Sequence, residues 1–284
     1  MPQVTLDGCT FNYEVAGPEG APVIFTLHGG RGAGELGNDF RTWGAALSDK
    51  FRVISYDQRG HGKTTDTLPF TFNQLADDIE TLRKHFCGDE KCIVIGGSFG
   101  GFIALTYALR HPGSYSKLIL RGTAPSYHME AEAIEIMKAR AHLVPSLTPA
   151  MIEKLFSNRV ESDLEFRLLW LAMQPLYADD PATFDAQKAF ERTRDMPVHL
   201  QAHNDLYDDD QWLAYDVRER LHEITAPTFI CVGEDDWICP VSQSRLMAEK
   251  IPNATLLVVE GANHSVHAQA PDVVMPAVRE FLSA

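Results

Sequence analysis

Short apolar runs mark the first 124 residues of the chain, and each runs into a turn containing glycine. Residues 23–27 lead into His28-Gly29-Gly30, and residues 51–56 into Asp57-Gln58-Arg59-Gly60. Residues 91–95 lead into Gly96-Gly97-Ser98, and residues 117–120 into Arg121-Gly122. Runs of this length without polar alternation predict strands of a parallel sheet, buried on both faces. Helical patterns at 72–86 and 98–110 lie between them, the second stopped by His111-Pro112-Gly113. Ahead of these, 4–6 and 10–15 read as a hairpin turning at Asp7-Gly8.

The pattern changes from about Ala124 to Tyr215, where no β-like run occurs. Four amphipathic helices are expected there, at 130–142, 149–158, 163–173 and 181–193. Thr148-Pro149 and Asp180-Pro181 each pair an N-cap with a first-turn proline. Strands return at 228–232 and 255–259, with helices at 241–250 and 272–282. The expected organisation is an α/β core, 1–123 and 216–284, interrupted by a helical cap at 124–215.

Composition narrows the function classes. A chain of 284 residues with 45% hydrophobic and 23% charged residues can bury a substantial core. That excludes a disordered chain or a disulfide-stapled miniprotein. With 25 Lys+Arg against 39 Asp+Glu, the net charge is −14. This offers no footprint for a phosphate backbone, so neither nucleic acid nor an anionic membrane is an expected partner. Cys9, Cys87, Cys92, Cys231 and Cys239 include no CxxC pair. They read as free, mostly buried thiols in a reducing compartment. Residues 1–13 show no basic-then-apolar leader and no membrane-length apolar run occurs, so the expected location is cytoplasmic. Asp208-Asp209-Asp210 reads as a solvated turn. His199 and His203 have i, i+4 spacing but lack the Glu of H-E-x-x-H and a third ligand. Neither a metal nor a cofactor is expected.

The chemistry-bearing signal is Gly96-Gly97-Ser98-Phe99-Gly100-Gly101. It fits G-x-S-x-G between an apolar strand and a helix, the context of a nucleophile elbow, where a tight turn excludes side chains around the serine. Ser98 is the expected nucleophile, and a hydroxyl needs a base at neutral pH. His264, in the loop after the last strand, is favoured over His267 because that loop crosses the carboxyl end of the sheet. The acid should follow the preceding strand, where Glu234, Asp235 and Asp236 are all candidates. Position alone does not separate Asp235 from Asp236. Oxyanion donors are expected from the backbone N–H groups of Phe99 and Gly30, with His28 bracing the second loop.

Taken with Asp57-Gln58-Arg59-Gly60-His61-Gly62 and the segment 233–240 followed by 261–264, these motifs resemble the α/β-hydrolase fold superfamily over nearly the whole chain. More narrowly, the chain is similar to the proline iminopeptidase group. The resemblance implies a mostly parallel sheet with helices on both faces and an inserted helical cap. It implies Asp236 as the acid, because that residue lies three after Gly233 and four before Pro240. It implies a serine hydrolase acting on a small-molecule ester, lactone or amide. C–C cleavage, a non-hydrolytic rearrangement and a non-catalytic receptor are the alternatives. Gly29, Arg31 and Trp237 are candidate substrate contacts. Arg31 departs from the group's His-Gly-Gly-Pro-Gly; it could meet an acidic or carbonyl-rich substrate or pair with a surface carboxylate. The group holds a substrate amine through cap carboxylates, for which Glu161, Asp163, Glu165 and Asp205 are candidates. Residues 166–173 and Trp212 read either as cap packing or as the lining of an acyl pocket.

Overall fold

The computed structural model describes residues 1–144, 147–178 and 184–284, apart from the side chain of Arg192. Eight strands form one sheet: β1 (Gln3–Leu6), β2 (Cys9–Ala16), β3 (Val23–Leu27), β4 (Arg52–Tyr56), β5 (Cys92–Gly97), β6 (Tyr115–Arg121), β7 (Thr228–Gly233) and β8 (Ala254–Val259). Their spatial order is β1-β2-β4-β3-β5-β6-β7-β8. β1 and β2 pair antiparallel, β2 joins β4 antiparallel, and every later pairing is parallel. The hairpin turns where expected, with φ of 47° at Asp7 and 79° at Gly8, as a two-residue turn with both φ positive requires.

Buried strands carry apolar side chains on both faces. Phe25 and Leu27 of β3 pack in one cluster with Leu75, Ile79 and Ile103 from the helices Phe72–Cys87 and Phe99–Arg110. Ile24 packs in a second cluster with Trp43, Leu47 and the helix Pro271–Ser283. β5 runs further than the apolar pattern predicts, because Gly96 and Gly97 still pair with Leu120 and Arg121 of β6.

One stretch departs from the sequence reading. Gly37–Asp39, Phe40–Gly44 and Ala45–Leu47 form successive α, π and α turns where no helix is expected. Gly37 and Gly44 blur the helical period, and burial of Trp43 and Leu47 anchors it instead.

Between β6 and β7 the described residues contain helices and no strand. The principal helices are Met129–Arg140, Pro149–Leu155, Asp163–Met173, Ala186–Thr193 and Leu200–Leu206. Thr148, Ser162 and Asp185 cap three of them by accepting from the backbone N–H three residues on. The expected Asp180-Pro181 start lies outside the described residues. Met137, Ile152, Phe166, Leu169 and Met173 form an apolar cluster here that also takes in Ala33 and Trp237 from loops of the sheet. All five cysteines are free. Among the described residues, no helix is long and apolar enough to cross a membrane.

Candidate active site

Ser98 stands between β5 and the helix Phe99–Arg110 with φ 54° and ψ −123°. An L-residue adopts positive φ only at a cost, and such residues cluster at functional sites. The glycines around it answer to steric need. A Cβ on Gly97 would strike the Arg121 guanidinium, and one on Gly100 would strike the carbonyl oxygens of Leu27 and His28.

His264 lies after β8. Its Nδ1 faces both carboxylate oxygens of Asp236, at 2.8 and 3.0 Å. Nδ1 is therefore the donor nitrogen, which leaves Nε2 able to accept a proton. The Asp236 carboxylate is fully buried, and its Oδ1 also accepts from the N–H groups of Ile238 (3.1 Å) and Cys239 (2.9 Å). Asp235 turns outward to Arg140 at 3.7 Å. Ser98 and His264 line the same cavity. Among the described residues no hydrogen bond joins them, and Cys239 lines the same cavity. Burial and the Asp236 charge push the Cys239 thiol well above its usual range. Bonds between a nucleophile and its base are often long until substrate tightens them.

The loop after β3 faces the elbow. A Cβ on Gly29 would come within 2.9 Å of Ser98 Cβ, so glycine lets the two segments meet. The backbone N–H groups of Gly30 and Phe99 have no acceptor among the described residues. His28 braces this loop: its Nε2 accepts from Gln58 N–H (3.3 Å), so Nδ1 donates to the Gly29 carbonyl (2.9 Å). Gly32 N–H donates to His61 Nε2 at 2.8 Å, and burial holds the His61 imidazole well below its usual range, as a neutral acceptor. From the other side, the helix Leu200–Leu206 rests on the same loop, with His199 N–H donating to Gly32 O at 2.7 Å.

The cavity measures about 540 Å³. Phe166, Trp170, Met173 and Trp212 line it, so the cap segment 163–173 both packs and lines. His267 also borders it, but its ring stacks on Trp43 and faces Asp39 at 3.6 Å. Burial, with the Arg121 charge, pushes His267 down to about 4.

Three expectations need correction. Trp237 does not line the cavity. Its indole is fully buried against Tyr177 and the cap cluster, where a large apolar ring after β7 gains most from packing. The cap acids Glu161, Asp163, Glu165 and Asp205 do not line it either. Glu161 and Glu165 pair with Lys154. The acids in the wall are Glu35 and Asp39, which the sequence reading missed. Burial alone would raise the Asp39 carboxyl, but His267 and Arg121 bring it below its usual value. Finally, among the described residues Arg31 pairs with no surface carboxylate. It is 8% exposed, and its guanidinium carbon lies 3.7 Å from the Tyr207 ring centroid and 4.1 Å from that of Trp212.

His199 and His203 diverge: His199 Nδ1 meets Asp66 at 2.9 Å, and the His203 ring packs, tilted, against Phe166. Among the described residues, no group of three His, Cys, Asp or Glu side chains could hold a metal ion.

An elbow serine, a buried Asp–His pair and a glycine loop gathered at one end of a parallel sheet set the comparison with known proteins. Residues 22–271 match the alpha/beta hydrolase fold family. The chain belongs to that family, in its proline iminopeptidase-like group. It is similar to the proline iminopeptidase PfmaB of Pestalotiopsis fici, at 43% identity with 98% of each chain covered. It is 30% identical to the proline iminopeptidase of Xylella fastidiosa, covering 95% of this chain and 92% of the relative. Among solved structures, the meta-cleavage product hydrolase CumD of Pseudomonas fluorescens IP01 superposes with a TM-score of 0.77. That match has 23% identity and covers 100% of this chain and 97% of the other. At that identity the likeness concerns the fold.

Proposed function

We propose that this hydrolase cleaves a small-molecule ester or amide by acyl transfer through Ser98, with His264 as base and Asp236 orienting it. The observation that carries this reading is the buried Asp236–His264 pair at the wall of the cavity that Ser98 enters from a strained turn. In the proposed sequence Ser98 Oγ attacks the carbonyl carbon and its proton passes to His264 Nε2. Asp236 holds the Nδ1–H and stabilises the imidazolium. The alkoxide develops toward the Gly30 and Phe99 N–H groups, free donors already in place. Nε2 then protonates the leaving group, and water, deprotonated by the same nitrogen, releases the acyl group. Residues 124–215 act as a cap that excludes solvent and sets substrate size. The reduced thiols favour a cytoplasmic setting.

A fluorophosphonate should label Ser98, and Ser98→Ala should abolish both labelling and turnover of 4-nitrophenyl butyrate. Turnover that survives in Ser98→Ala would refute the mechanism. The iminopeptidase relatives favour an amide substrate with a free amine, and Glu35, a wall carboxylate with no ion pair among the described residues, could receive it. Preference for prolyl-4-nitroanilide over the butyrate, lost in Glu35→Gln, would establish that second reading.

A further inference from the structure

Arg31 is a buried cation without a carboxylate partner among the described residues. Among the described residues no Asp or Glu oxygen comes within 4.0 Å of it. Its guanidinium makes a long hydrogen bond, Nη1–H to Leu206 O at 3.5 Å, and its buried Nε has no partner among the described residues. The acid whose charge reaches it is Glu130, which is occupied in accepting from Trp212 Nε1. Tyr207 and Trp212 cover the guanidinium and hold it in place by cation–π attraction. The two ring centroids lie 5.6 Å apart, on adjacent rather than opposite sides of the guanidinium, and Nε still finds no acceptor among the described residues. Burying a charge with unfilled donors is costly unless a partner completes it. The side chain borders the cavity that holds Ser98, beside the Phe99 ring at 5.6 Å, and leaves the chain one residue after Gly30.

We propose that Arg31 receives a carboxylate borne by the substrate close to its scissile carbonyl, so that the enzyme prefers anionic esters or amides. The inference rests on the acyl-transfer reading above and names the substrate class of that site. A planar guanidinium fits a carboxylate through paired N–H donors. The rings packed against it hold the guanidinium in place before substrate arrives, which spares ordering cost on binding.

The test compares kcat/KM for anionic and neutral esters. 4-Nitrophenyl hydrogen adipate is set against 4-nitrophenyl hexanoate, and 3-acetoxybenzoate against phenyl acetate. At least one anionic ester should be preferred by on the order of ten- to a hundredfold, the usual worth of a charge-assisted hydrogen bond. Arg31→Gln should bring that ratio close to one, and Arg31→Lys should restore part of it. Absence of preference in the parent enzyme, or a preference that persists in Arg31→Gln, would overturn the proposal. Should Arg31→Gln fail to fold, the parent enzyme decides. Phenylacetate should protect Ser98 from a fluorophosphonate more strongly than its neutral isostere phenylacetamide, and equal protection would overturn the proposal. A failure of acyl transfer itself looks different: none of the esters turns over and Ser98 takes no label.

Discussion

Asp235 and Asp236 are chain neighbours with opposite surroundings, one exposed beside Arg140 and the other buried against His264. Asp236→Asn should lower kcat/KM by on the order of a thousandfold to ten-thousandfold, because the amide fixes the wrong imidazole tautomer. Asp235→Asn should stay within a few-fold of the parent. Kinetics of the two variants on one ester settle the point, and the reverse ranking would transfer the acid role to Asp235. The contrast also shows what was legible in the sequence. Ser98 could be read because its turn needs small neighbours at fixed spacing, which is a local steric requirement. Loop position does not choose between the two adjacent aspartates; the family spacing from Gly233 and to Pro240 favours Asp236, and the direction of the chain after β7 brings that residue to His264. Arg31 was legible as an oddity, but its surroundings were not. Leu206, which receives its hydrogen bond, lies 175 residues away in the chain, next to Tyr207, whose ring, with that of Trp212, packs against the guanidinium. Trp237 misled for the same reason, since nothing in the sequence says whether an indole after a strand points into a cavity or into packing.

Among the elements, the strand–turn–helix around Ser98 leaves least room. Gly100→Ala would press a methyl into the carbonyls of Leu27 and His28, which belong to the neighbouring β3 and its loop. The expected cost is about 1–3 kcal/mol, read as a lowered melting temperature; an unchanged melting temperature would remove the steric account of that glycine. The parallel strands were legible because five-residue apolar runs admit few other readings in this context. The turns over 37–47 were not, because glycines interrupt the period and long-range burial of Trp43 and Leu47 anchors them. That stretch also brings Asp39 to the cavity wall, which is why this acid went unnoticed. Several helix ends in the cap shifted as well. The helix starting at Pro149 stops at Leu155, short of the predicted 158, because Phe156 turns to ψ 39°.

For the molecule as a whole, buried imidazoles tie stability to pH. Burial pushes His267 down to about 4 and His203 down to about 3. An unfolded imidazole takes a proton near pH 6.5, so below that value the unfolded chain binds protons that the folded chain refuses. The stabilisation is complete above about pH 6.5. It is lost as pH falls, through about 4 for His267 and about 3 for His203. For His267 alone it is on the order of 3 kcal/mol. The melting temperature should therefore decline steadily from pH 6.5 to 4, and more shallowly in His267→Gln. A net charge of −14 works in the opposite sense, since acid relieves self-repulsion, but carboxylates protonate mainly toward pH 4. A flat melting temperature between pH 6.5 and 4.5 would contradict the assignment of neutral, buried imidazoles.

The helix seated on Gly32 has a consequence for timing. The helix Leu200–Leu206 and the strip of backbone proposed to steady the alkoxide share a hydrogen bond, from His199 N–H to Gly32 O. On the proposed mechanism, a displacement of that helix that broke this bond would also release the backbone beside Gly30, so opening the cap and holding the alkoxide would compete.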